Sequence, residues 1–444
     1  MLKQVWPAAS MFVVLSAPLL ARAGVVPAGT EFQVNTYTSS FQQVTGACAA
    51  PDGSFVVVWN SGPRFRGIFG QRYTSSGAKA GTEFQVNTYT PYEQGLGGVC
   101  CDAAGDFVVV WQNNHQDGDR EGIFGQRFAS SGASLGTEFL VNTYTTTAQF
   151  LPQVCCDAAG DFVVVWTSLA GNYTPGSDVF GQRFLSDGSF SGGPFQVNTY
   201  TPSYQSYSAL CCDAAGDFAV VWESNGQDGQ GPGVFGQRFA SDGLQRGTEF
   251  QVNTYTNGYQ KVPAICCDRE GDFTVVWDAF PQGLSPGDVF GQRYASSGAS
   301  RGTEFQVNVY TTGNQAEAGG GAICCAPNGD FVVTWTSEDQ DGFRDGVFAR
   351  RFSHLGGASS EFQVNTYTSN FQSSSRVACD ASGGFVIVWN SEGQDGDSTG
   401  VFGQRFALLA QVPTPALSFA GIAASVVALL GAGAAAFRRR RRRG

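Results

Sequence analysis

The chain has 444 residues, 37 acidic against 26 basic side chains, a net charge of −11 and two histidines. A surface of that sign repels nucleic acid and anionic lipid. No stretch of the body keeps a helical period, and 59 glycines punctuate it, so short strands joined by turns are expected throughout.

Residues 1–23 carry Lys3, an apolar run from Met11 to Leu20, and Ala21-Arg22-Ala23. This pattern predicts a secretory signal peptide cut after Ala23. Residues 24–411 then form the body, in which three phrases recur seven times: one like EFQVNTYT, one like VCCDAAGDFVVVW and one like GVFGQRFASSG. The phenylalanines of the first phrase are Phe32, Phe84, Phe139, Phe195, Phe250, Phe305 and Phe362, at spacings of 52 to 57 residues. Units this short cannot bury their own apolar surface, so neighbours must cover one another.

Within a unit the period is two. Phe107-Val108-Val109-Val110-Trp111 is apolar on both alternating sets, as in a strand covered on both faces, whereas Phe84, Val86 and Thr88 alternate with Gln85, Asn87 and Tyr89. Asp102-Ala103-Ala104-Gly105 and Ser130-Ser131-Gly132 supply turns. Four strands per unit, repeated seven times, predict an all-β chain folded as a seven-bladed β-propeller of four-stranded antiparallel blades. A β-solenoid with long coils is the alternative.

The cysteines discriminate between the two. Five adjacent pairs, Cys100-Cys101, Cys155-Cys156, Cys211-Cys212, Cys266-Cys267 and Cys324-Cys325, lie between single cysteines at Cys48 and Cys379. Ala49 replaces the second cysteine of the first unit and Ala378 the first cysteine of the last. Joining the first cysteine of each unit to the second of the next uses all 12: Cys48–Cys101, Cys100–Cys156, Cys155–Cys212, Cys211–Cys267, Cys266–Cys325 and Cys324–Cys379. Adjacent strand residues point to opposite faces, and the two faces of a blade meet the preceding and following blades, so a propeller explains this pattern. Five adjacent-residue bridges with Cys48–Cys379 across the seam form the competing, more strained scheme. Either one needs an oxidising compartment. Adjacent cysteines with so little histidine make a poor zinc site.

Most polar residues recur in register. Asp106, Asp161, Asp217, Asp272 and Asp330 precede the Trp strand, and Arg72, Arg127, Arg183, Arg238, Arg293, Arg351 and Arg405 end the GQRF-like phrase, which points to structural work at turns and between blades. No Ser/His/Asp or Cys/His constellation is visible, and no catalytic residue is assigned. His115 lies in a loop. Six residues after four of the tryptophans comes Asp-Gly, at Asp117, Asp228, Asp341 and Asp395, with Asp119 and Asp397 two residues after the first and last. Closely spaced Asp and Gly can hold calcium and also make ordinary turns. No other cofactor is implied, and these loops are the expected binding face.

At the C-terminus, Ala416 to Phe437 is uncharged and is followed by Arg438 to Arg443, a segment long enough to span a bilayer as a helix with the arginines cytoplasmic. Removing Lys3, Arg22 and these six arginines, with no acidic residue in either end segment, leaves −19 on the body. Residues 412–444, opening Val412-Pro413-Thr414-Pro415, resemble the tripartite sorting signals of the PEP-CTERM type, with Thr414 where the family usually has Glu. That resemblance implies processing near Val412, Pro413, Thr414 and Pro415 by an exosortase-like enzyme; a permanent anchor is the alternative. The units spanning 31–407 resemble the WxSxGQDGDxxGVFGQRF…GxEFQVNTYT…DGxFVVVW repeats of bacterial secreted and surface proteins, which implies an extracellular module. The function expected is non-enzymatic binding or adhesion to extracellular polysaccharide, matrix or envelope protein. A carbohydrate-active propeller enzyme and a purely structural scaffold are the alternatives, the enzyme being favoured by non-repeating carboxylates at one channel mouth.

Overall fold

Every Trp strand is buried along nearly its whole length, and the alternation of its side chains decides how the repeats assemble. In Phe55–Ser61, Phe55, Val57 and Trp59 pack with Val386 and Val388 of the last repeat, whereas Val56 and Val58 pack with Val109 and Trp111 of the next. One strand therefore feeds two interfaces, and seven apolar clusters form, one at each junction between neighbouring blades. The core of this protein lies between its sheets.

The computed structural model describes residues 24–62, 67–169, 176–281, 286–316 and 322–408. The predicted signal segment with Ala23, and the tail with Val412, Pro413, Thr414 and Pro415, lie outside the described residues. Among the described residues no helix is long and apolar enough to cross a membrane. Val25–Leu408 is one compact unit of seven antiparallel sheets, a seven-bladed β-propeller.

A representative blade runs Gln94–Cys101, Phe107–Asn114, Glu121–Phe128 and Ser134–Leu140, in that order from the inner strand outward. Blades straddle the sequence units, because the EFQVN phrase of each unit is the outer strand of the blade before it. The ring closes accordingly: Phe32–Gln33 and Val25–Pro27 both pair with the last strand, Thr399–Leu408. The outer strand is shorter than the alternation predicts. In every blade the paired part of the EFQVN phrase is just its Phe and the next residue, preceded by further strand residues only in Ser134–Leu140, and the Asn two residues on turns its side chain back onto the third strand. Asn87 Oδ1 accepts the Ile68 N–H at 2.7 Å, and Asn142 Oδ1 the Ile123 N–H at 2.6 Å.

All six disulfides join first to second cysteine across neighbouring blades, Cys48–Cys101 through Cys324–Cys379, with Cα separations of 5.4 to 5.6 Å. The adjacent-residue scheme and the solenoid are both excluded by this geometry. At the seventh junction Ala378 and Ala49 meet in one apolar cluster. There the ring is held by Arg405, which donates to the Ser76 carbonyl at 2.5 Å, by Glu83, which accepts from Thr36 N–H at 2.7 Å, and by Arg376, which reaches the Thr45 carbonyl at 3.2 Å.

The recurring polar residues do structural work. Asp106 Oδ1 accepts the Ser130 N–H at 2.7 Å and Asp272 Oδ1 the Ser296 N–H at 2.9 Å, pinning the outer hairpin turns. Arg72 donates to Ser130 O and Arg238 to Ser296 O in the next blade, at 2.5 and 2.6 Å. Where Ala349-Arg350-Arg351 replaces Gly-Gln-Arg, Arg350 takes over with bonds to Ser359 O and Val307 O, and Arg351 turns to Asp330 at 2.5 Å.

Candidate functional site

The inner strands converge on the axis and begin with a glutamine that recurs in all seven blades and is fully buried. In three blades its side chain clamps the Trp strand. Trp111 Nε1 donates to Gln94 Oε1 at 3.0 Å, and Trp277 and Trp335 do the same to Gln260 and Gln315 at 3.1 and 3.2 Å. Burying an indole N–H without such a partner is costly. The signal in the sequence is a Gln six residues before the cysteine pair at Gln94, Gln149, Gln205 and Gln260, and nine before it at Gln315.

Directly after that glutamine the repetition stops. The next four residues read Gln43-Val44-Thr45-Gly46, Phe150-Leu151-Pro152-Gln153, Ser206-Tyr207-Ser208-Ala209, Lys261-Val262-Pro263-Ala264 and Ser373-Ser374-Ser375-Arg376 in five of the blades. Pairing slips here in each of these inner strands. In four of them the second residue is left-handed, with φ of 56° at Leu151, 51° at Tyr207, 48° at Val262 and 55° at Ser374. Left-handed backbone disfavours side chains with a Cβ, a β-branched valine most of all. Bulges of this kind re-aim side chains and gather beside functional sites.

A bulge frees a backbone N–H, and the preceding blade satisfies it. The residue after the repeat Trp reaches across: Gln112 accepts from Leu151 at 3.0 Å, Asn390 from Val44 at 2.7 Å and Glu223 from Val262 at 3.3 Å. Glu223 and Asp278 are the two carboxylates at this position, which elsewhere holds Asn60, Gln112, Thr167, Thr336 and Asn390. Burial pushes the Glu223 carboxyl above its usual range, with the Val262 N–H and the Lys261 charge pulling the other way.

The displaced segments surround a cavity of ≈ 290 Å³ at one end of the channel. Its polar lining includes Gln43, Gln153, Tyr207, Ser208, Asp278 and Arg376; Leu151, Val262 and Pro263 add apolar surface. Asp278 is 3% exposed and Tyr207 46%. The opposite mouth is close to sevenfold symmetric, rimmed by the cysteine-following residues Asp102, Asp157, Asp213, Asp268 and Asp380. Those carboxylates belong to turns. Asp102 Oδ1 accepts the N–H groups of Ala104 and Asp106 at 2.8 and 2.9 Å, and burial raises the Asp102 carboxyl against those bonds.

The Asp-Gly loops lie on the cavity side, since the turns between second and third strands and the crossings from blade to blade share one face of an antiparallel blade. Their carboxylates serve the fold. Asp117, Asp228, Asp341 and Asp395 accept N–H groups two residues ahead, and a Cβ on Gly122, Gly233, Gly346 or Gly400 would come 2.5 to 2.8 Å from the Oδ2 atoms. Asp341 Oδ2 reaches Asn365 Nδ2 at 3.2 Å. In two blades without the Asp-Gly loop, an aspartate replaces that glycine in the strand itself: Asp178 and Asp288 accept from Asn198 and Asn308, both at 2.7 Å. The carboxylate thus comes either from the loop or from the strand. Asp119 accepts the Thr147 N–H at 2.9 Å and Asp397 the Ser40 N–H at 3.0 Å, tying each loop to the next blade. Among the described residues no three His, Cys, Asp or Glu side chains converge as a metal-holding group. His115 stays in its loop, its ring edge-on to Tyr92 at 5.2 Å.

No protein-family model matches the chain, nor does any curated protein sequence. Solved structures with a similar arrangement include a protein of unknown function from Dyadobacter fermentans, 10% identical with TM-score 0.48, covering 73% of this chain and 97% of its own. An α-L-arabinanase of Penicillium chrysogenum is 13% identical with TM-score 0.44, covering 84% and 98%. An α-L-arabinofuranosidase of Fusarium graminearum is 10% identical with TM-score 0.44, covering 82% and 92%. At these values the likenesses carry no argument about function.

Proposed function

We propose that this protein is an exported binding module that takes a saccharide into the channel cavity walled by Leu151, Gln153, Tyr207, Val262 and Arg376. The observation that carries this reading is the confinement of sequence variation. Within strands that otherwise repeat, the four residues after the buried glutamine differ from blade to blade, and they surround one cavity. A structural ring needs no such departure, whereas a ligand without sevenfold symmetry does. Amides, hydroxyls and a guanidinium alternate there with Leu151, Val262 and the Tyr207 ring, which suits a sugar with its hydroxyl edge and C–H face. Six disulfides with no free cysteine fit an oxidising compartment. Export through the N-terminal segment, and sorting of the tail by an exosortase-like enzyme, belong to the same proposal.

The test is thermal-shift titration of the oxidised body, residues 24–411, with di- to tetrasaccharides of neutral sugars, against Tyr207→Ala and Gln153→Ala. A saturable rise in melting temperature that both substitutions reduce at least tenfold in affinity supports the cavity; a rise indifferent to both refutes it.

A second reading, a carbohydrate-active enzyme, is favoured by one observation: Asp278 lines the cavity and the protonation-prone Glu223 stands behind Val262. Paired carboxylates in unlike surroundings are what glycoside hydrolysis uses. Product release from the same oligosaccharides, abolished by Asp278→Asn, decides for it; stable ligands decide against it.

A further inference from the structure

We infer that the cavity face carries a crown of separated aromatic platforms that docks a neutral polysaccharide chain. This rests on the saccharide reading of that face and extends it from one sugar in the channel to a polymer lying across the blades. Among the described residues every exposed tyrosine, and every exposed phenylalanine except Phe190, lies on this face, in the blade-to-blade crossings or the loops beside them. The exposed large apolar residues of the opposite face are Leu185, Phe190, Leu244 and Leu355, in outer hairpin turns.

The fold does not account for Tyr37, Tyr144 and Tyr255, the exposed three of the seven repeat tyrosines, the other four being half-buried. In each crossing the repeat Asn hooks the backbone two residues on: Asn35 Nδ2 donates to the Tyr37 carbonyl, Asn142 to that of Tyr144 and Asn253 to that of Tyr255, at 2.9 to 3.0 Å. Any residue offers that carbonyl, yet tyrosine stands there in all seven repeats, and these three rings are 51–63% exposed. A second tier stands just before the clamp glutamine, where Phe41, Tyr204 and Phe371 are 39–56% exposed.

The chemistry of the surroundings selects the occupant. Tyr92 packs with Tyr89 and His115, Tyr259 lies under Lys261, and Phe343 and Phe371 share Arg344; the rings do not fuse into the apolar centre that a protein interface needs. A net charge of −11, deepening to −19 on the repeat body once the end segments with their basic residues are set aside, repels an anionic polymer. A neutral sugar ring offers a C–H face to an aromatic ring and hydroxyls to the polar groups around it. A platform repeated around the ring also suits a ligand that repeats.

Affinity electrophoresis of the oxidised body in native gels cast with dextran, galactomannan, mixed-linkage β-glucan or arabinoxylan tests this. At least one polymer should retard the parent protein. Tyr37→Ala/Tyr144→Ala/Tyr255→Ala should raise the dissociation constant at least tenfold, and the corresponding Phe variant should stay within threefold of the parent. Phe tests the ring without altering the fold, and Tyr144→Ala alone should give an intermediate loss should the triple variant misfold. Unchanged retardation of a folded triple variant, or none by any of these polymers, would overturn the crown. Tyr207→Ala separates the two proposals. In Tyr207→Ala, loss of short-oligosaccharide binding with polymer retention intact supports channel and crown as separate sites; in the parent, polymer retention without short-oligosaccharide binding sinks the channel alone, and short-ligand binding without polymer retention sinks the crown alone.

Discussion

Glu223 occupies a position where other blades use asparagine or glutamine to hold a bulged N–H, so its charge is dispensable for the bond it makes with Val262. Burial favours the neutral form and lifts its titration above the ordinary 4.5. A raised carboxylate binds more protons folded than unfolded through that window, so its charged form costs stability once the pH exceeds the folded value. Glu223→Gln keeps an acceptor and removes the charge. The variant should melt roughly 1–3 °C above the parent at pH 7, with the gap closing as the pH falls below 4.5, as differential scanning calorimetry across that range would show. A variant less stable at neutral pH would contradict the burial argument.

At the scale of the element, the Asp-Gly loop and the third strand share one carboxylate site. Gly122 lies under Asp117, since a Cβ there would meet Asp117 Oδ2 at 2.5 Å, whereas Asp178 and Asp288 supply the carboxylate from the glycine position themselves. Gly122→Asp should therefore destabilise by about 1–3 kcal/mol through overpacking and like charge. Adding Asp117→Ala should recover about half or more, a coupling of the size seen for residues in contact. Chemical denaturation of the four proteins of this cycle measures it; strict additivity would mean the two aspartates do separate jobs. The spacing of Asp-Gly in the sequence is that of a turn, and whether its carboxylate faces an ion or a neighbouring strand depends on what packs above it.

Across the whole molecule the ring is covalently tied at six junctions and open at one. Ala378 and Ala49 occupy the two cysteine positions of the seventh and share its apolar cluster. Ala49→Cys/Ala378→Cys should form a bridge under the oxidising conditions that form the others. In the chain-entropy account it would add about 3–5 kcal/mol against unfolding. A mass lower by two hydrogens, together with slower amide exchange in Val25–Pro27 and Thr399–Leu408, would show the closed seam; free thiols in a folded protein would show that the seam is too wide. Mild reduction of the parent should lower its melting temperature sharply, because the core consists of interfaces that the bridges hold together.

The sequence by itself determined the repeat number and the strand count, and it narrowed the cysteines to two pairings, of which the structure holds the inter-blade one. These follow from local rules: alternation of side chains across a strand and the opposite outlook of adjacent residues. It also identified the recurring Asp and Arg as structural, since recurrence is a property of the frame. Left to the tertiary structure were the meanings of the departures from the repeat. Leu151, Tyr207 and Val262 look like ordinary strand residues in a one-dimensional reading, and become cavity lining only because their inner strands bulge at the same place after the buried glutamine. The outer strands are shorter than the alternation implied, and Asn87 and its equivalents bond back to the third strand. The closing strand Phe32–Gln33 looks in sequence like the start of the first repeat and proves to complete the last blade. Ring closure joins residues almost a whole chain apart, and such contacts leave no local trace in the sequence.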